Sequence, residues 1–208
     1  MAKTSKSFAV LILTTILLVV AMLCACGGFG GRYKIKEANM DIAPNAPKIP
    51  LNVRLVLDSK QCTFTYTSVR QGAKRIYELG EALCANNVNI FKNHFKNVTL
   101  VSSKDKTGAD DFDITAIPRL IDTSVLVRPG APPRFEATII YECAIEDSNG
   151  HTIFVRTIKE NKVIKKYGYG GYAIIMQEAI DELFAKLAGE LADSPEIRKF
   201  VQDAYQAE

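Results

Sequence analysis

The strongest structural signal in the sequence is a strict alternation of apolar and polar residues from 135 to 145. Apolar side chains occupy every second position: Phe135, Ala137, Ile139, Tyr141, Cys143 and Ile145. A period of two places these side chains on one face of a β-strand, against a core. The segment Asp147-Ser148-Asn149-Gly150 then predicts a tight turn, and residues 153–164 return as a partner strand. The sequence therefore predicts a long antiparallel hairpin at the centre of the fold.

Four further segments are predicted to be strands: residues 51–58, 62–67, 98–101 and 113–121. Pro118 lies in the last of these and cannot donate a ladder hydrogen bond, so an edge strand or a bulge is expected there. Helical spacing of apolar residues predicts one long helix from about Gly72 to Phe95 and a second over residues 172–191. A short helix is expected to follow Ser194-Pro195, because serine caps helix starts and proline is tolerated in the first turn.

Strands and helices occur in separate runs along the chain, which predicts the α+β class. We expect a mainly antiparallel sheet, with a long helix after the first strands and C-terminal helices packed on one face.

The amino-terminal segment predicts export. Lys3 and Lys6 precede an apolar run over residues 8–23, which ends at Leu23-Cys24-Ala25-Cys26. This ending resembles a bacterial lipobox, which implies cleavage after Ala25 and a diacylglyceryl group on Cys26. Cys24 fits less well, because the bulky Met22 and Leu23 precede it.

Two other interpretations stay open. The apolar run has 16 residues, fewer than the about 20 of a spanning helix, so an uncleaved signal anchor is the main alternative. An ordinary secretory signal also fits the run, but it needs no cysteine at position 26. Gly27 stands where enterobacterial lipoproteins retained in the inner membrane carry Asp. The resemblance therefore implies an outer-membrane, periplasm-facing lipoprotein.

Three parts of the chain are predicted: a signal peptide over residues 1–25, a lipidated amino terminus and flexible tether over 26–50, and a single periplasmic α+β domain over 51–208. The tether prediction depends on its glycines and prolines: Gly27, Gly28, Gly30, Gly31, Pro44, Pro47 and Pro50.

The mature chain keeps Cys62, Cys84 and Cys143, and an oxidising periplasm allows one disulfide among them. Cys62 and Cys143 both fall on the apolar side of predicted strands, so they are the candidate pair. The alternative is that all three are small buried apolar residues. No cysteine or histidine spacing suggests a metal site, and no cofactor is predicted.

Two exposed clusters are candidate contact surfaces. The first is a tyrosine cluster, Tyr167, Tyr169 and Tyr172, in a Gly-rich segment that could also be a plain joint before the helix. The second is a basic stretch, Lys159, Lys162, Lys165 and Lys166, which predicts contact with anionic lipid. The alternative for the lysines is a solvated strand edge that discourages edge-to-edge pairing. The sheet edge and the Pro-rich loop over residues 129–133 are further surfaces to test.

The chain also resembles YajG-type envelope lipoproteins and, more broadly, the periplasmic modules of curli-export lipoproteins and the TolB amino-terminal domain. The resemblance covers roughly residues 50–205. It depends on five segments: residues 51–55, the helix ending at Phe91, residues 109–114, the hairpin at Asn149-Gly150, and residues 191–201. It implies no catalytic residues.

These observations predict a non-enzymatic, lipid-anchored binding or assembly module of an envelope complex. Its expected partners are the membrane, through the lipid, and envelope proteins. Without the two lysines of residues 1–25, the 26 basic side chains fall to 24 against 23 acidic ones, and this net charge of +1 gives no reason to expect a nucleic-acid partner. No hydrolase motif such as G-x-S-x-G is present. The alternative function is a ligand-binding accessory lipoprotein in lipopolysaccharide or phospholipid transport. The sequence makes no prediction of the oligomeric state.

Overall fold

The computed structural model describes residues 30–40, 47–70, 73–102, 111–168 and 170–206. The predicted signal peptide, Cys26 and Tyr169 lie outside these residues. The elements in chain order are β1 (Gly31–Lys34), β2 (Ile49–Val56), α1 (Ser59–Cys62), β3 (Thr65–Arg70), β4 (Ala73–Glu78), α2 (Gly80–His94), β5 (Phe95–Val101), β6 (Ile114–Arg128), β7 (Arg134–Asp147), β8 (Thr152–Lys165), α3 (Gly171–Asp193) and α4 (Pro195–Gln206).

A five-stranded sheet with the order β5-β2-β6-β7-β8 forms the main layer. β2 runs parallel to both β5 and β6, whereas β6, β7 and β8 pair antiparallel. The antiparallel strands have 14 or 15 residues and β2 has only 8, so antiparallel pairs dominate. The α+β prediction is confirmed, with two parallel pairings inside the sheet.

The alternating residues of β7 face the helices, as the sequence predicts. All six are buried, and Tyr141 meets the Phe184 ring of α3 edge-on at 5.6 Å between centroids. Phe91 of α2 stacks on Phe95 at 5.5 Å. Because burial of apolar surface is the main force for folding, this face holds α2 and α3 on the sheet. The other face of the strands carries partly exposed residues, including Ile117, Ile140 and Val155.

Local signals at two junctions between elements are also confirmed. In the β7–β8 turn, the Asp147 carboxylate accepts hydrogen bonds from the backbone N–H groups of Asn149 and His151, each at 2.8 Å. Gly150 has a φ of 84°, which favours glycine. The Ser194 hydroxyl accepts from the Ile197 N–H at 3.1 Å, so it caps α4.

The long helix predicted from Gly72 is wrong at its beginning. Residues 73–78 form strand β4, in which Ala73, Arg75 and Tyr77 are buried alternately. The helix begins only at Gly80. The apolar residues of this segment fit both the helical period and the strand period of two. At its beginning, packing follows the strand period, so residues 73–78 form a strand instead of a helix.

The predicted disulfide is also wrong. Cys62 bonds to Cys84 across a Cα–Cα distance of 5.4 Å, and Cys143 is a free, buried thiol. The physical reason is that Cys62 ends helix α1 beside the first turns of α2 instead of lying in a strand. Cys143 faces the core from β7, where burial raises the pKa of its thiol to about 12.

The flexible tether prediction does not hold for residues 31–40. Gly31–Lys34 form a strand, and Ile35 is 2% exposed within the core cluster. The side-chain amide of Gln177 donates to the Lys36 carbonyl and accepts from the Lys36 N–H. The Asn86 side chain accepts from the Ala38 N–H at 2.9 Å. These polar contacts hold the segment against α2 and α3.

A three-stranded sheet has the order β1-β4-β3. The chain divides into two compact units, and the described part of the smaller one comprises residues 30–32, 67–70 and 73–76 of these strands. The larger unit contains every described helix. Among the described residues, no helix is both long and apolar enough to span a membrane.

Candidate interaction groove

A groove lies along the part of β6 that has no neighbouring strand in the ladder. β6 pairs with β2 only over Ile114–Ala116, whereas its pairing with β7 continues to Arg128. The cavity beside this edge has a volume of about 590 Å³. It is lined by Asp58, Lys60, Gln61, Phe64, Tyr66, Arg119, Leu120, Ile121, Asp122 and Thr123. We refer to it as the β6 groove.

A β-bulge shapes one wall of the β6 groove. The register with β7 shifts between Leu120 and Asp122, which leaves Ile121 as the extra residue, 49% exposed. Bulges bend a strand and redirect side chains, and they are common at functional sites. The sequence prediction of an edge or bulge in this segment is confirmed, three residues after Pro118.

Two side chains satisfy backbone donors on this strand edge. The Val125 N–H donates to the Tyr66 hydroxyl at 3.3 Å, and the Thr123 N–H donates to the Asp122 carboxylate at 2.8 Å. Because the N–H and C=O of one strand residue point the same way, the Val125 carbonyl also faces this edge. The buried Thr123 hydroxyl has no hydrogen-bond partner within the described part of the chain. Of these groups, the Val125 carbonyl is the one that the edge offers as an acceptor to an incoming chain.

The opposite wall is anchored in the core. The fully buried Tyr141 hydroxyl accepts from the Asn87 amide at 2.6 Å and from the Gln61 amide at 3.5 Å. Burial raises the pKa of Tyr141 well above its ordinary value, so the phenol stays neutral. The Cys62–Cys84 disulfide joins α1 to α2 next to Gln61. The opposite wall is thus held in place by bonds to the core.

The interior of the β6 groove is mixed in character. Phe64, Tyr66, Leu120 and Ile121 supply apolar and aromatic surface, and charged side chains of both signs surround them. Arg119 pairs with Glu142 at 2.6 Å and Asp58 caps α1, so part of this charge is already engaged. An apolar centre with a polar rim is typical of surfaces that bind protein segments.

The predicted basic stretch does not form one surface. Strand alternation turns Lys162 toward α3, where it pairs with Glu182, and hydrogen bonding to that carboxylate raises the pKa of Lys162. Lys159 and Lys165 are exposed on the other face of the sheet, and Lys166 follows the end of β8. A period of two separates charges that look continuous in the sequence.

The predicted tyrosine surface is wrong at Tyr172. This residue is 8% exposed and packs between Phe135, at 4.9 Å between ring centroids, and Tyr33, at 6.2 Å. Tyr167 is 70% exposed, so it remains available for contact, and Tyr169 lies outside the described residues. The cluster is therefore divided between the core and the surface.

Sequence reasoning missed the β6 groove because its walls are about 60 residues apart in the chain. The signals available for its β6 wall were Pro118 and the break in alternation at Leu120-Ile121-Asp122. For metal binding, the described residues contain no group of three or more His, Cys, Asp or Glu side chains that could hold an ion.

Comparison with known proteins finds no matching protein-family model and no matching curated protein. Among solved structures, the chain is similar to protein XCC0632 from Xanthomonas campestris, which is assigned to family model DUF330. The two chains are 12% identical with a TM-score of 0.57, and the match covers 84% of this chain and 98% of XCC0632. A minor lipoprotein from Acinetobacter baumannii gives 12% identity and a TM-score of 0.44, over 70% and 93% of the two chains. The likeness to XCC0632 shows a shared fold, and the YajG-type resemblance stays a prediction.

Proposed function

We propose that the chain is a lipid-anchored outer-membrane lipoprotein that faces the periplasm and acts as a non-enzymatic binding module of an envelope complex. The lipobox ending at Cys26 supports the anchor. Several acyl chains on one residue give a firm attachment, because each buried CH₂ contributes about 0.8 kcal/mol. Attachment also raises the effective concentration of the module near membrane partners.

The observation that carries the binding role is the β6 groove. It combines a strand edge without a strand neighbour, the Ile121 bulge and a fixed opposite wall. An extended segment can add to such an edge through backbone hydrogen bonds, while alternate side chains enter the groove. The occupant that fits is therefore an extended segment of an envelope protein.

Photocrosslinking in cells tests this role. A photoreactive residue at Ile121 is expected to capture a discrete envelope protein. The matched control is the same residue at Val163, which is 43% exposed on β8. Capture from both positions alike, or from neither, would contradict binding in the groove.

The alternative role in lipopolysaccharide or phospholipid transport depended on a continuous basic face. Because Lys162 is turned toward α3 and paired with Glu182, that alternative has no observation in its favour, and we do not advance it.

A further inference from the structure

The small three-stranded sheet begins close to the proposed lipid anchor. Gly31, the first residue of β1, lies five positions after Cys26 in the sequence. A fully extended chain of that length spans at most about 18 Å. If Cys26 is acylated, as proposed above, β1 cannot move farther than this from the lipid headgroups.

The part of the small unit that the structure describes carries charge of one sign. It contains Arg32, Arg70, Lys74 and Arg75, and no Asp or Glu. The neighbouring residues 26–31 and 71–72 add no acidic side chain to the sequence. Arg75 is 5% exposed, whereas Arg32 and Lys74 are exposed. A positive surface held near a bilayer is attracted to anionic headgroups.

Strand alternation gathers exposed residues on one face. Arg32 on β1, Lys74 on β4, and Thr67 and Val69 on β3 are exposed, while the residues beside them along each strand are less exposed. Val69 is 69% exposed, the largest exposed fraction of any described large aliphatic side chain. The face therefore combines cations with an apolar side chain, the composition that suits the lipid–water interface.

We propose that this face, formed by Arg32, Thr67, Val69 and Lys74, docks on an anionic phospholipid surface. The cations contact headgroup phosphates and Val69 enters the interface. The lipid at Cys26 supplies attachment, and the docked face supplies orientation. This inference rests on the proposed lipid anchor, which by itself does not require any particular face to meet the membrane.

The test uses the acylated full-length protein, purified from membranes and reconstituted into vesicles. A fluorophore at Thr67→Cys reports contact through quenching by nitroxide-labelled lipids. A second fluorophore at Ser148→Cys, in the β7–β8 turn, is the control position. We compare vesicles of phosphatidylethanolamine with phosphatidylglycerol against vesicles of phosphatidylcholine alone.

Quenching at position 67 is expected in the anionic vesicles and not in the neutral ones. It should weaken as salt is added, because exposed charges are screened. Removing both cations with Arg32→Gln and Lys74→Gln should lower the docking equilibrium constant about 25-fold, since one basic residue beside an anionic leaflet contributes a factor of about five. The matched variant Lys159→Gln with Lys165→Gln removes the same charge from β8 and should have no effect. Unchanged urea midpoints confirm that both variants fold.

Each of the following results would overturn the proposal. Equal quenching in neutral vesicles, or no loss in the Arg32 and Lys74 variant, excludes docking by charge. If the protein floats with the vesicles but the probe at position 67 is not quenched, the docking face is rejected while the lipid anchor is retained. A probe shielded only in native membranes assigns the face to a protein partner. Protein that does not float with vesicles rejects the anchor, and the docking that depends on it.

Discussion

Loss of the Cys62–Cys84 disulfide is expected to destabilise the protein strongly and to loosen the β6 groove. The bridge closes a loop with a sequence separation of 22 residues. In the chain-entropy description, a loop of this length is worth about 3 kcal/mol in the free energy of unfolding. For a chain of this size that corresponds to a fall of about 6 to 12 °C in the melting temperature.

The assay is urea unfolding with and without a reductant. Reductant should lower the free energy of unfolding of the wild-type protein by about 3 kcal/mol and leave the Cys62→Ala, Cys84→Ala double variant unchanged. The single variant Cys143→Ala is the matched control, because Cys143 is a free thiol. It should respond to reductant like the wild type.

The same perturbation links stability to function. α1 carries Lys60 and Gln61 of the groove wall, so the double variant should also lose crosslinking from Ile121. A non-reduced digest in which Cys62 is joined to Cys143 would refute the reasoning. A response of the wild type to reductant below about 1 kcal/mol would also refute it, since it falls well under the loop-closure value.

Three further predictions concern packing, hydrogen bonding and pH. Gly171→Ala should lower the free energy of unfolding by about 1 to 3 kcal/mol through overpacking, because the new Cβ would lie 2.5 Å from a buried phenylalanine ring. At the control position, the Cβ of Gly170→Ala meets nothing within 4 Å, so this variant should be tolerated. Thermal melts distinguish the two variants. Tyr141→Phe should cost about 1 kcal/mol in urea unfolding, because the hydroxyl loses its bond from the α2 amide, and no cost would show that this bond contributes nothing. The Arg156 guanidinium, which donates a hydrogen bond to Glu196, lowers the pKa of that carboxyl from 4.5 to about 2. The contribution of this carboxylate to the free energy of unfolding is therefore complete above pH 4.5 and lost as the pH falls toward 2. The difference in free energy of unfolding between the wild type and Glu196→Gln should shrink between pH 4.5 and 2 and stay constant above pH 4.5.

The central hairpin could be predicted because several local signals agree. The period of two over β7, the Asp147–Gly150 turn and the Ser194 cap each specify their structure within a few residues. The beginning of α2 could not be predicted in this way. Apolar residues at 76, 79 and 83 fit a helix, yet residues 73–78 pair as a strand, because tertiary pairing outweighs local spacing.

The candidate site was less accessible to sequence reasoning than the fold. The disulfide and the β6 groove both depend on α1, a helix of only four residues that lies between two strands. No hydrophobic period identifies so short an element. The lysines of β8 have a clear signal in the sequence, because their charges lie close together along the chain. Their division between two faces of the sheet follows from the register with β7, which the sequence does not give.

The measurement that bears most directly on the proposed function is the intact mass of the protein purified from native membranes, beside a Cys26→Ala variant. A mass that begins at Cys26 and includes acyl chains, absent from the variant, is the predicted result. A mass that retains residues 1–25, or a cleaved chain without acyl groups, would contradict the lipid anchor.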